Sequence, residues 1–301
     1  MLSTFQEIEE FVLNEKIRKT IALAGAHDAD ALSSVVNARR KGVVDAILVG
    51  HKDKIRDLLG ELEEDAEEYV IMDVTSDAGI AAAACWLVAD GKADIPMKGI
   101  IQTGTFMRAI LDKTYGFVPD KGLVSQATVF EYTQENRLML LTDCAVNIKP
   151  EYSDKVKIVE NAVRLAHKLR NPMPKVAVLA PVEIINPAMP STIEAAMLSK
   201  AAQRGQIKSC IVDGPLALDN AVSAEAAKHK GIESPVAGKA DILVVPDICT
   251  GNVCTKSLIY FAGYHTAGAI NGTSVPVVMT SRTEGSQAKY YSILTAIMQT
   301  L

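Results

Sequence analysis

The chain has 301 residues, about two domains at roughly 150 residues each, with 49% hydrophobic and 22% charged. That composition buries a large core and excludes disorder as the main state; with aromatics at 5%, the core is aliphatic, as in parallel sheets covered by helices. Lys plus Arg number 31 against 36 Asp plus Glu, a net charge of −5, so nothing points to nucleic acid and an anionic substrate must be held by a few placed cations.

The N-terminal stretch STFQEIEEFVLNEKI is acidic and amphipathic, unlike a signal peptide. Thr20 to Asp28, TIALAGAHD, reads as a buried strand running into a loop, followed by a helix from about Asp30 to Lys41 and a strand ending at Gly50. HKDKIRDLLGELEE is a solvated helix, YVIMDV a strand, SDAGIAAAACWLVADGK a buried Ala-rich helix stopping at Gly91, and ADIPMKG a strand ending in a turn. This β-α-β-α-β-α-β order predicts a parallel sheet with ligands at the carboxyl ends of its strands.

Later, LMLLTDCAVN reads as a strand, and Val156, Val159, Val163, Ala166 and Leu169 mark one face of a helix. Asn171-Pro172-Met173-Pro174 breaks the chain before the strand KVAVLAPVE, and Ser191 to Glu194 has capping-box spacing. KSCIVDGP, ADILVVPD and SVPVVMTSR give three more strand signals, and Ser286 to Leu301 a terminal helix. No internal repeat or low-complexity linker is visible. Two α/β lobes are predicted, one before about residue 138 and one after, with a ligand cleft between them.

No GxGxxG, GxxxxGK[ST], HExxH, GxSxG or CxxC occurs, which removes the usual fingerprints of dinucleotide, ATP, zinc-protease and serine-hydrolase sites. Cys249 and Cys254 have no second pair or His at zinc spacing, so no metal site is expected. No apolar run reaches the roughly 18 residues of a membrane helix, and the odd set of five cysteines suits a reducing cytoplasm. His27 and His51 each follow a strand, where a solvated loop histidine is the commoner case.

Four clusters remain. Thr280-Ser281-Arg282 closes a strand and Ser286 opens a helix, a combination of hydroxyls, a guanidinium fork and helix-start N–H groups that suits a tetrahedral anion, or simply a cap with a surface arginine. Lys98, Gly99, Thr103, Gly104, Thr105 and Arg108 follow the fourth strand, with glycines for close backbone approach and two cations for phosphates; a turn and an amphipathic helix explain them nearly as well. Asp143 and Asn147 end an apolar run, where an Asp also caps backbone groups. In ICTGNVCTKSL, Asn252 or Thr255 could cap the helix that follows.

Taken in order, ADIPMKGIIQTGTFMRAIL, TDCAVNIKP, KADILVVPDICTGNVCTKSL and PVVMTSR before a Ser-led terminal helix resemble the phosphate acetyl/butyryl transferase family, from about residue 15 to the C-terminus. DKGLVSQ and INPAMPSTIEA look closer to its butyryl-transferring members than to its acetyltransferases. The resemblance implies a two-domain α/β fold of the isocitrate/isopropylmalate dehydrogenase-like kind, with residues 1–138 plus 271–301 in the first domain and 139–270 in the second. It implies the reaction butyryl-CoA plus orthophosphate giving butyryl phosphate plus CoA, with coenzyme A and phosphate as substrates, no cofactor and no metal, in a cytoplasmic homo-oligomer without membrane or nucleic-acid partners.

By the same resemblance Ser281 and Arg282 are catalytic, for thiolate or oxyanion stabilisation and for phosphate binding. Arg108, Thr105, Lys98, Gly99, Asp143, Asn147, Asn252, Thr255 and Ser286 contact CoA or phosphate. The family's acetyltransferases carry an acidic residue, proposed as base, in the first turn of the last helix. Here Ala288 and Lys289 stand near that place and Glu284 falls in the loop, so no base is assigned, and Lys289 reads as a solvated lysine or an anion ligand. The alternatives are an acetyl preference, a non-catalytic CoA-binding module, or a dehydrogenase on the same fold, which would need an NAD site and clustered Asp ligands.

Overall fold

Aliphatic runs and capped helix starts set the architecture of the computed structural model, which describes all 301 residues. The chain forms a terminal unit, residues 5–122 and 267–301, and a middle unit, residues 1–4 and 123–266. The sequence places the first crossing after 138; the structure places it earlier, because the segment before the predicted strand LMLLT is itself a strand paired with it.

In the terminal unit α1 (Phe5–Asn14) leads to β1 (Lys19–Ala24), α2 (Ala29–Arg40), β2 (Val44–Gly50), α3 (Lys52–Glu61), β3 (Val70–Asp73), α4 (Asp77–Ala89), β4 (Ile95–Lys98) and α5 (Thr103–Ile110). All four strands are parallel, in the order β3-β2-β1-β4, as the alternation predicts. Ile21 to Ala24 and Ile95 are wholly buried, and Asp28 and Ser76 cap α2 and α4 by accepting from Ala31 N and Gly79 N at 3.0 and 3.2 Å.

The predicted strand SVPVVMTSR is much shorter than expected. It reduces to Val277–Val278, which bridges Met97 in parallel and Ile270 in antiparallel fashion, so these residues flank β4 beyond β1. The terminal helix is correct in place, lying nearly buried with Tyr290, Ile293, Leu294, Ile297 and Met298 in the core and Phe5 stacked on Tyr291 at 4.3 Å.

The middle unit runs through β5 (Ser125–Tyr132), β6 (Arg137–Thr142), α6 (Tyr152–Lys168), β7 (Lys175–Leu179), α7 (Pro190–Gln203), β8 (Ile211–Leu216), α8 (Leu218–Val222), α9 (Ala224–His229), β9 (Ile242–Val244) and α10 (Ile248–Tyr260). Its strand order is β5-β6-β9-β7-β8, with β5 antiparallel to β6 and the rest parallel. The chain leaves the unit at Thr266, the first residue of β10 (Thr266–Asn271), and ends in α11 (Ser286–Gln299). The capping box expected at Ser191 does not form: Pro190, suited to a first helical position, starts α7, and Glu194 pairs with Lys155 instead.

Candidate functional site

Parallel strands direct their carboxyl ends, and the N-termini of the helices that follow, to one edge of the sheet. Across the terminal unit that edge carries His51 after β2, His27 and Asp28 after β1, Lys98 and Gly99 at the end of β4, and Thr280, Ser281 and Arg282 after the Val277–Val278 bridge. Lys98 N donates to Val278 O at 2.9 Å, which locks the last two segments side by side.

Gly99 is required by backbone crossing rather than by a ligand. A Cβ there would lie 2.2 Å from Gly25 O, and Gly25 itself has φ +81°, outside the range most side chains adopt. Gly99 N donates to Ala24 O at 2.7 Å and Ile100 N to Gly25 O at 3.1 Å, so the loops after β1 and β4 are stitched together.

Lys98 is 2% exposed, yet its ammonium has one protein partner, Gly99 O at 3.1 Å, and no carboxylate within ion-pair distance. Burial holds its pKa below the ordinary lysine value, and the charges of Arg282 and Lys289 lower it further while Asp28 and Glu284 oppose them. Those four groups are its charged neighbours. Arg282 is exposed, and its guanidinium makes no hydrogen bond or ion pair. The Thr280 hydroxyl is buried without a partner, a state that needs explaining in a native structure. Ser281 Oγ lies 3.1 Å from Thr283 Oγ1 and accepts from Thr283 N at 3.4 Å, which orients the hydroxyl within a tight turn.

Beneath that turn lies Lys289, in the first turn of α11 and 2% exposed. The reading of Lys289 as a solvated lysine is thus corrected: its ammonium donates to the carbonyls of Ser281, at 3.2 Å, and Glu284.

Thr105 is half-buried in the first turn of α5; Arg108, one turn further, is exposed and makes no hydrogen bond or ion pair. Ser286 occupies the first turn of α11, whose N-cap is Gly285, and faces a polar recess of about 260 Å³ shared with Ser33, Asn37 and Arg40 of α2.

Asp143, Asn147, Asn252 and Thr255 belong to the middle unit, at the carboxyl ends of β6 and β9. Asp143 is 3% exposed and its carboxylate accepts from Ala145 N, Val146 N, Asn147 N and Asn147 Nδ2 at 2.9, 3.0, 3.2 and 2.5 Å, so it holds its own loop. Asn147 Nδ2 also reaches Val124 O at 2.9 Å. Gly251 packs α10 onto this loop, since a Cβ there would lie 2.4 Å from Asp143 O. Neither Asn252 nor Thr255 caps α10: Asp247 does, accepting from Thr250 N at 2.8 Å, while Asn252 is exposed and Thr255 Oγ1 sits 3.2 Å from Thr128 Oγ1.

Thr280, Lys289 and His27, which the sequence names without giving them a role in catalysis or binding, also lie on or beneath this edge. His27 meets the His51 ring edge-on at 4.6 Å, and burial followed by the His51 charge lowers its pKa. The signal for Thr280 was available, since it heads the same tripeptide; nothing in the sequence marked Lys289 as buried. No group of three His, Cys, Asp or Glu residues is placed to hold a metal ion.

Two α/β units with parallel-rich sheets define the class: an α/β enzyme of the isocitrate/isopropylmalate dehydrogenase-like fold. Residues 79–297 match the family model described as phosphate acetyl/butaryl transferase. The chain is 45% identical to the phosphate butyryltransferase of Clostridium acetobutylicum, over 99% of this chain and 98% of that one. It is 43% identical to the phosphate acetyltransferase of Thermotoga maritima, over 91% and 93%. A branched-chain phosphotransacylase from Enterococcus faecalis V583 superposes with a TM-score of 0.82 at 35% identity, covering 93% of this chain and 98% of that structure. The chain belongs to the phosphate acetyl/butaryl transferase family.

Proposed function

We propose that the chain transfers a short acyl group, butyryl by preference, between coenzyme A and orthophosphate, and that the carboxyl edge of the terminal unit carries the chemistry. The observation that carries this reading is the set of unspent donors there: the ammonium of Lys98 and the guanidinium of Arg282, neither paired with a carboxylate, beside the unpartnered hydroxyl of Thr280. A phosphate dianion is the complement of such a set.

In the proposed mechanism Arg282 takes two phosphate oxygens with its planar fork while Lys98 neutralises the remaining charge. Fixing phosphate beside the thioester removes much of the entropic barrier to attack. A phosphate oxygen adds to the thioester carbonyl, the new C–O bond forms, and collapse of the tetrahedral adduct breaks the C–S bond and releases CoA as the thiolate. The Ser281 hydroxyl, oriented by Thr283, donates to the oxyanion or to the departing sulfur. Phosphate is largely a dianion at neutral pH, so attack requires no carboxylate base. Thr105, Arg108, Gly99 and Ser286, with Asp143, Asn147, Asn252 and Thr255 of the middle unit, are proposed to shape the binding of CoA and phosphate, Asp143 and Gly99 through the backbone they hold.

Thiol release from butyryl-CoA that depends on added phosphate tests the reaction. A binding module would release no thiol, and a dehydrogenase would change absorbance with NAD instead. Among acyl groups, butyryl-CoA is expected to exceed acetyl-CoA in kcat/KM, since each methylene filling an apolar pocket contributes about 1–3 kcal/mol. Acetyl-CoA preferred by tenfold would overturn the butyryl assignment and leave the reaction standing.

The reaction is proposed to need no metal, cofactor or protein thiol. Burial pushes the thiols of Cys85 and Cys144 up to about 12 and that of Cys210 up to about 11, away from the reactive thiolate. Activity is expected to survive prolonged EDTA treatment; loss that a divalent ion restores would overturn this. A cytoplasmic homo-oligomer is also proposed. The five free cysteines and the exposed Val253, Tyr260 and Phe261 on and just beyond α10 support it, and no helix is long and apolar enough to cross a membrane.

A further inference from the structure

Lys289 is placed against electrostatic preference. It puts a buried cation in the first turn of α11, where the helix dipole is positive, near the cations Lys98 and Arg282 and without an ion-pairing carboxylate. Burying an ammonium costs several kcal/mol unless its donors are used. Here they are used on the loop that presents Ser281 and Arg282: Nζ donates to Ser281 O and Glu284 O, the two carbonyls that bound the turn. The turn's own closure consists of a Glu284 N to Ser281 O bond of 3.2 Å and a Thr283 N to Ser281 Oγ bond of 3.4 Å, both between uncharged groups. A residue that merely filled this space would be apolar, since methionine has nearly the same length and no charge to desolvate.

We propose that Lys289 is a positioning residue for the transfer: from beneath the turn, its ammonium holds the backbone that presents the Ser281 hydroxyl and the Arg282 guanidinium and adds a third positive charge to the phosphate subsite. The inference rests on the assignment of Ser281 and Arg282 to the site. It also gives the missing acidic residue a physical counterpart. The first turn of α11 carries a cation that holds the phosphate-binding loop, and the dianion attacks without proton abstraction by this helix.

The test compares Lys289→Met, Lys289→Gln and Arg282→Ala in the full chain, with phosphate and butyryl-CoA varied separately. Lys289→Met is expected to lower kcat/KM for phosphate about tenfold while KM for butyryl-CoA moves less than threefold. Lys289→Gln, which keeps one donor, is expected to recover part of the loss. Amide exchange at Thr283 and Glu284 should quicken in the Met variant while the strands of the sheet stay protected; a purely stabilising lysine would instead lower the melting temperature and spare the phosphate kinetics. A folded Lys289→Met enzyme with kcat/KM for phosphate within twofold of the parent overturns the proposal, and if Met does not fold, the same threshold applied to Lys289→Gln decides. Should Arg282→Ala be impaired while Lys289→Met is not, this inference alone fails; unimpaired Arg282→Ala removes the site assignment and the inference with it.

Discussion

Arg282→Ala is expected to lose roughly ten- to a hundredfold in kcat/KM for phosphate, from the removal of one charge-assisted hydrogen bond of about 1.5–3 kcal/mol, and more if both arms of the fork are engaged. Arg282→Lys keeps the charge but not the planar pair of donors, so it should fall between the parent and the alanine variant. Neither change should disturb folding, because the guanidinium is exposed and holds no other part of the protein. That separates the two readings of this residue: a surface arginine beyond a helix cap predicts unchanged turnover in both variants. Steady-state rates with phosphate varied, on protein whose circular dichroism matches the parent, decide between them. Unchanged rates in folded Arg282→Ala would take this residue out of the site.

The parallel sheet of the terminal unit was readable because β1, β2 and β4 each carry a short apolar run, Ile21–Ala24, Ala46–Val49 and Ile95–Met97, and buried parallel strands need little else. β5 escaped because it buries Ser125, Gln126 and Thr128, so its run carries polar residues that only their partners justify. Asn161 Nδ2, for example, donates to Ser125 Oγ at 2.9 Å from helix α6, a contact 36 residues away in sequence. That single omission displaced the first unit boundary. β10 escaped for a different reason, its TAGAIN run of small residues having weak strand preference of its own. At the site, the position of Thr280-Ser281-Arg282 after an apolar run was enough to place a donor set at a sheet edge. What the run could not reveal is which of the neighbouring polar groups are spent. Asp143 is saturated by its own loop and Lys289 by the turn above it, whereas Lys98 is nearly free, and all three look alike in one dimension.

Lys98→Met is expected to separate function from stability in opposite directions. The ammonium is buried, its pKa lowered first by that burial and then by Arg282 and Lys289, so in the empty site its charge is disfavoured. A lysine whose pKa falls on folding destabilises the native state wherever it is charged, below the folded-state value, and that cost disappears as pH rises toward the unfolded-state value. At neutral pH the methionine variant should therefore melt no lower than the parent, and higher if the aliphatic chain packs as the lysine stem does. Phosphate binding should suffer in the opposite sense. A bound dianion favours the charged ammonium, so the parent takes up protons on binding phosphate at alkaline pH and loses affinity as pH rises through the lowered pKa. Calorimetry in two buffers of different ionisation enthalpy reads that uptake, and Lys98→Met should abolish it while losing roughly ten- to a hundredfold in kcat/KM for phosphate, the equivalent of one charge-assisted contact. A methionine variant that melts lower than the parent yet binds phosphate equally well, with the same proton uptake, would make Lys98 a structural residue and move the phosphate subsite elsewhere.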